Sequence, residues 1–258
     1  MSIKFTILGC GSSMGVPRSD GYFGNCDPAN IKNYRSRCSG IIQTKSDNIL
    51  IDTSPDLRSQ LINNKIKKID KVLYSHMHAD QTHGINDLRV FFIKNRKPIP
   101  IYTDRKTKNH LIKTFSYCFK NKSKEYPATL KLNLVKNRFT IKDGKKNIPI
   151  KSVKVEHGKV QSICYIIDNK LAYISDVSKI YKKDHKYFKN LKYLVIDCLW
   201  YRNHPSHLNL AQSIKLIKLF KPKKAILTNL HCDLDYEILR KKLPKNIVPA
   251  YDGLKLKL

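Results

Sequence analysis

Two histidines and an aspartate, each two residues from the next, could do chemistry here: His76, His78 and Asp80 in SHMHADQTHG, directly after the apolar run KVLYS. Alternate residues on an extended segment point the same way, so the two imidazoles can converge on one ion. Asp80 continues the spacing and can reach a second ion. A lone His-x-His is common by chance, and the plain alternative is surface histidines without metal. His-x-His-x-Asp at a strand end, before glycine and a helical run, is a more specific pattern. Gln81 follows Asp80. Its carbonyl oxygen can bind a hard divalent ion, but it is neutral and a poorer donor than imidazole for zinc. Three arrangements are open. Gln81 ligates and favours Mn²⁺- or Mg²⁺-like ions, or His83 replaces it, or the second site fills only with substrate.

Strand-like runs recur along the chain: KFTILG, GIIQT, NILID, KVLYS, PIPIY, KSVKVE, SICYIID, LAYIS, YLVID and KAILT. Helical runs separate some of them. SPDLRSQLINN offers Ser54 as cap, Pro55 at the first helical position, and Leu57 and Leu61 on one face. GINDLRVFFIKN places Ile85, Leu88 and Phe92 together, and NLAQSIKLIKLF places Leu210, Ile214 and Ile217 together behind a capping Asn209. Early strands come in close succession and later ones alternate with helices, which predicts a layered sheet sandwich flanked by helices. GCGSSMG lacks the Gly-Lys-Ser/Thr ending of a phosphate loop and the G-x-G-x-x-G of a dinucleotide fold, so it reads as a tight turn.

The 258 residues show no repeat or composition break, and 1–258 is expected to be a single domain. The formal net charge of +30 could mark a polyanion-binding surface. Most of the excess is lysine dispersed in runs such as KIKKIDK, KNKSKE and KDGKKN, which favours solvated faces over a nucleic-acid footprint. Seven scattered cysteines without a C-x-x-C pair argue against a disulfide framework. No apolar run is long enough to span a bilayer and no signal-peptide pattern opens the chain, so a soluble cytoplasmic protein without a membrane partner is expected.

LGCGSSMGVPR, RSRCSG, LIDTSPDLR, SHMHADQTHGINDLR, EHG, YISD, HPSHLNLAQ and LTNLHCDLDY occur in that order. Together they resemble the metallo-β-lactamase fold, an α/β (α+β) four-layer αββα sandwich whose loops hold one or two metals. The chain is most similar to the cyclic-phosphodiesterase branch, which includes the phosphoribosyl 1,2-cyclic phosphate phosphodiesterase of phosphonate breakdown. It is also akin to transfer-RNA 3′-processing nucleases. The resemblance implies a first metal site of His76, His78 and His157, with Asp176 bridging to a second site of Asp80, Gln81 and His231. The usual motif for the last ligand is Thr-His, and here Asn229 follows Thr228. His207 matches the proposed proton donor, with His204 as its rival, and Asp52 matches a buried acid that orients the site. His110 and His185 lack this context and read as surface residues. A structural zinc site on clustered N-terminal cysteines is not expected, because only Cys26 is kept; Cys26 and Cys38 read as packing residues or as groups that support the metal ligands from behind.

The implied function is a metal-dependent phosphoric diester hydrolase acting on a small cyclic or nucleotide-like phosphodiester, with two divalent ions, zinc or manganese. Arg89, Arg35, Arg37 and Ser13 in its turn are the candidate phosphate contacts, with solvated charge in a basic chain an equal reading for Arg35 and Arg37. An RNA-processing nuclease of the same fold, or a metal-binding protein with a weakened second site, are the alternatives. Nucleic acid is a less favoured partner, and a homodimer is compatible with the sequence.

Overall fold

The structure is a computed structural model and describes residues 3–120, 123 and 125–258. Asn121, Lys122 and Lys124 of the basic run KNKSKE lie outside the described residues, as do Met1 and Ser2.

Two mixed sheets face each other. The first contains β1 (Lys4–Gly9), β2 (Ser39–Gln43), β3 (Asn48–Ile51), β4 (Lys71–Leu73), β5 (Ile99–Thr103) and β6 (Leu130–Leu134), in that spatial order, with β14 (Lys255–Lys257) beside β1. The second runs β13 (Ile247–Pro249), β12 (Lys224–Thr228), β11 (Tyr193–Asp197), β10 (Leu171–Ile174), β9 (Val160–Ile167), β8 (Lys146–His157) and β7 (Arg138–Asp143). Helices α1 (Leu57–Asn63), α2 (Ala79–Thr82), α3 (Arg89–Asn95), α4 (Arg105–Thr114) and α5 (Ser116–Phe119) follow strands of the first sheet, and α6 (Leu210–Phe220) and α7 (Tyr236–Lys242) those of the second.

Period-two alternation builds the layers. Ile49 and Ile51 of β3 point between the sheets, and Leu50 points to the first helical layer. Val195 of β11 points between the sheets, and Leu194 and Ile196 point to the layer of α6 and α7. Strands buried on both faces read as continuous apolar runs, which is why NILI and YLVI carry no polar residue between their ends. The result is the αββα sandwich.

Local signals resolve unevenly. Asn209 caps α6 by accepting from the Gln212 N–H at 2.8 Å, while the Gln212 side chain accepts from the Asn209 N–H at 2.9 Å. The start of α1 differs from expectation. Ser54 and Pro55 form a turn, and the helix begins at Leu57, because the Asp56 carboxylate is drawn to the Arg37 N–H and guanidinium at 2.9 and 2.8 Å. GINDLRVFFIKN is a 3₁₀ turn over Ile85–Leu88 followed by α3. The tighter turn shifts the phase, so Phe91 joins Ile85 and Leu88 in the core cluster. The lysine-bearing 104–147 stretch contributes α4, α5, β6 and β7, the last two as sheet edges.

All seven cysteines are free and buried; Cys26 packs against Val16 and Cys232. No helix among the described residues is long and apolar enough to cross a membrane.

Candidate metal centre

Strands β3, β4 and β5 are mutually parallel, as are β10 to β13, and β8 runs in the same direction as β10 because each is antiparallel to β9. Their C-terminal ends form one edge of the sandwich, where α/β sheets place their sites. Asp52 follows β3, His76 and His78 follow β4, His157 ends β8, Asp176 follows β10, Asp197 ends β11 and Asn229 follows β12. Gly158, after His157, has φ +59, and a Cβ there would lie 2.8 Å from that of Ser206. This glycine lets the His157 turn and the His207 loop touch.

Three imidazoles enclose one point. His76 Nε2 is 2.9 Å from His78 Nδ1, and His157 Nε2 is 3.2 Å from the same atom. Two nitrogens bound to one ion at usual lengths stand ~3.0–3.4 Å apart, so the spacing fits a metal. The outward nitrogens are anchored. His157 Nδ1 donates to the Ser206 carbonyl at 2.7 Å. His76 Nδ1 is 3.0 Å from the Ser75 hydroxyl, which donates to Asp52 Oδ2 at 2.8 Å, while the Ser75 N–H donates to Oδ1 at 2.7 Å. This Asp52–Ser75–His76 chain selects the tautomer that aims Nε2 inward. Burial pushes His76 down to about 3 and lowers His78, so both rings are neutral and able to ligate. Asp176 stands with His157 and His207 in a set whose donor atoms lie within 4.8 Å of one another. Burial alone would raise its carboxyl, but His76, His207 and His157 hold it below the usual range.

His207 Nδ1 meets Asp197 Oδ2 at 2.8 Å, leaving Nε2 for the cluster. Burial would depress this histidine, yet the carboxylates of Asp197, Asp176 and Asp80 outweigh it and push it up to about 9. Its rival His204 is lowered by burial and its Nδ1 is turned to Ser206, so it offers no comparable proton. Asp197 went unnoticed in the sequence, although it ends an apolar strand as Asp52 does after NILI.

The expected second site does not assemble. His231, expected as its last imidazole, stacks on Trp200 with ring centroids 4.8 Å apart and groups with Cys232 and Asp233. The left-handed backbone at Asn229 (φ 61) turns the chain at the end of β12. It is Asn229 that faces the site: its Nδ2 donates to Asp197 Oδ1 at 3.1 Å and lies 3.0 Å from His207 Nδ1. Gln81 is buried, and its Nε2 donates to Asp80 Oδ2 at 3.1 Å and Asp176 Oδ2 at 3.4 Å. Burial and the nearby Asp176 push Asp80 up to about 6. His83 is exposed, with its ring on Phe115 and Nδ1 toward Thr82, and is not a substitute ligand.

The phosphate contacts expected from sequence are scattered. Arg35 is 1% exposed and donates to the His231 and Leu234 carbonyls and to Asn33 Oδ1, so it is a structural clasp and not a substrate clamp. Arg37 pairs with Asp56 and donates to the Ser13 carbonyl; Ser13 itself is exposed. Arg89 lines a separate cavity of about 720 Å³ with Phe92, Arg96, Tyr117 and Tyr126, and none of the clustered histidines lines it. His110 and His185, read as surface residues, are partly buried, with His185 Nε2 at 3.1 Å from the Ile180 carbonyl.

A family model described as the beta-lactamase superfamily domain matches residues 47–229. This chain belongs to that superfamily. The match runs from just before Asp52 to Asn229 and so contains the whole cluster. A crystal structure described as a new diphosphatase from the PhnP family is similar over 100% of this chain and 98% of that one, with 31% identity and a TM-score of 0.88. The octanoyltransferase of Porphyromonas gingivalis (strain ATCC BAA-308 / W83) is 30% identical over 256 residues, 98% of this chain and 51% of that protein. The chain therefore spans about half the length of that relative. Human tRNase Z, short form, at 15% identity, a TM-score of 0.68 and 98% coverage of each chain, shares the fold. As a superfamily member the chain has the metallo-β-lactamase fold, and its His and Asp groups suit the divalent metals that this fold usually binds.

Proposed function

We propose that this hydrolase cleaves a small phosphodiester or diphosphate linkage. The observation that carries the reading is His207: a histidine held protonated by Asp197 beside a nest of three imidazoles and Asp176. Ester oxygens of phosphodiesters are poor leaving groups and need a proton, whereas activated carbonyl substrates need one far less. The similarity to a PhnP-family diphosphatase supports the phosphoryl substrate.

The ion would be held by His76 Nε2, His78 Nδ1, His157 Nε2 and Asp176. When bound it supplies Lewis-acid polarisation of a phosphoryl oxygen and acidification of water. The chain's own residues do the rest. Asp52, through Ser75, fixes the His76 ring. The Ser206 carbonyl fixes His157. Asp197 holds the His207 Nδ1 proton, so that Nε2–H is presented to the departing oxygen and is recovered from solvent after release.

A panel of substrates tests the reading: bis-p-nitrophenyl phosphate, a dinucleoside diphosphate, cyclic nucleotides, a precursor transfer RNA and p-nitrophenyl octanoate, each with added manganese or zinc. Turnover of the small phosphoryl substrates is expected. Cleavage confined to precursor transfer RNA would replace it with the nuclease reading, and turnover of the octanoate alone would replace it with carbonyl chemistry.

A further inference from the structure

We infer that the chain holds one metal ion, and that the Gln81 carboxamide occupies the place between Asp80 and Asp176 where a second ion would sit. The inference rests on the metal-centre geometry but not on the identity of the substrate.

Two carboxylates that face each other, Asp176 buried and Asp80 half-buried, need something positive between them. Here that is the Gln81 Nε2 group, 3.1 Å from Asp80 and 3.4 Å from Asp176. An amide nitrogen has hydrogens and no lone pair to offer a cation. Reversing the amide would set its oxygen against both carboxylates, an arrangement only an intervening cation could make favourable. The arrangement has a cost: Gln81 Oε1 is buried without a hydrogen-bond partner. The donor end is thus placed by the acids at the expense of the acceptor end.

Asn229 turns its Nδ2 to Asp197 Oδ1, and His231 lies on Trp200. His207 has its Nδ1 on Asp197 and one free nitrogen, which the proposed reaction uses. One imidazole nest and one amide-bridged acid pair therefore replace a symmetric pair of sites. Gln81 is a positioning residue: it holds the Asp176 carboxylate in line with the nest.

The test is metal stoichiometry. The full chain is loaded with excess Mn²⁺, desalted, and assayed for bound metal and by electron paramagnetic resonance. One equivalent and an uncoupled six-line signal are expected, and Gln81→Ala should also hold one equivalent. Gln81→His should hold two, with a spin-coupled spectrum. Two equivalents in the unaltered chain, with one lost in Gln81→Ala, would overturn the inference, because Gln81 would then be a ligand through its oxygen. One equivalent in Gln81→His would overturn the assigned role of residue 81. Neither readout depends on turnover, so an inactive panel of substrates would leave this result standing.

Discussion

Asp197 Oδ2 lies 2.8 Å from His207 Nδ1, and this contact fixes which ring nitrogen faces the imidazole nest. An asparagine at 197 could present its amide nitrogen to Nδ1 and reverse the tautomer. Asp197→Asn should therefore lower kcat for unactivated phosphodiesters by about 10²-fold or more, the scale of a lost general acid. Metal content should not change. A variant with full activity would show that the pairing is structural only.

The Asp52–Ser75–His76 chain makes a separate prediction. Ser75 links the buried acid to the ligand ring, donating to Asp52 and lying 3.0 Å from His76 Nδ1. Removing such an anchor typically weakens metal affinity about 10–100-fold. Competition of Ser75→Ala with a chelator should show a loss in that range, with His78 and His157 untouched. Unchanged affinity would mean that packing alone orients His76.

Arg35 was read from sequence as a substrate clamp and is found as a buried clasp. Arg35→Ala would leave the carbonyls of His231 and Leu234 without a donor. A destabilisation of about 2–4 kcal/mol is expected from denaturant unfolding. The folded fraction should retain its KM. A raised KM with unchanged stability would restore the clamp.

Asp252 sets a pH dependence away from the centre. It accepts from the Cys10 and Ser36 N–H groups, and burial nonetheless pushes its carboxyl up to about 6. A carboxyl that binds its proton more tightly when folded disfavours folding as it ionises. The chain should thus be most stable, relative to Asp252→Asn, below about pH 4 and lose about 2–3 kcal/mol of that margin by pH 6 to 7, with no further change above. A margin that is flat with pH would refute the shift.

The sandwich was legible because each of its inner strands is an apolar run ending in a polar residue, and His76, His78, His157 and Asp176 are such ends. His207 was legible from its motif, but its partner was not: an aspartate closing YLVID looks like any strand terminus until the parallel neighbours bring it level with Asp176. The second site misled for a physical reason. Thr228 ends the strand as the motif requires, yet the sequence could not show that a left-handed turn at Asn229 carries His231 away to Trp200. Arg35 misled because nothing in RSRCSG distinguishes a guanidinium facing solvent from one facing backbone carbonyls.

The most direct test of the account is a leaving-group series. Aryl phosphodiesters of increasing leaving-group pKa are compared for the unaltered chain and His207→Ala, each loaded with metal to the same content. On the proposal that His207 protonates the departing oxygen, the dependence of log kcat on that pKa should be shallow in the unaltered chain and steep in the variant, with the two converging for the most activated ester. Parallel lines, offset equally at every leaving group, would contradict it.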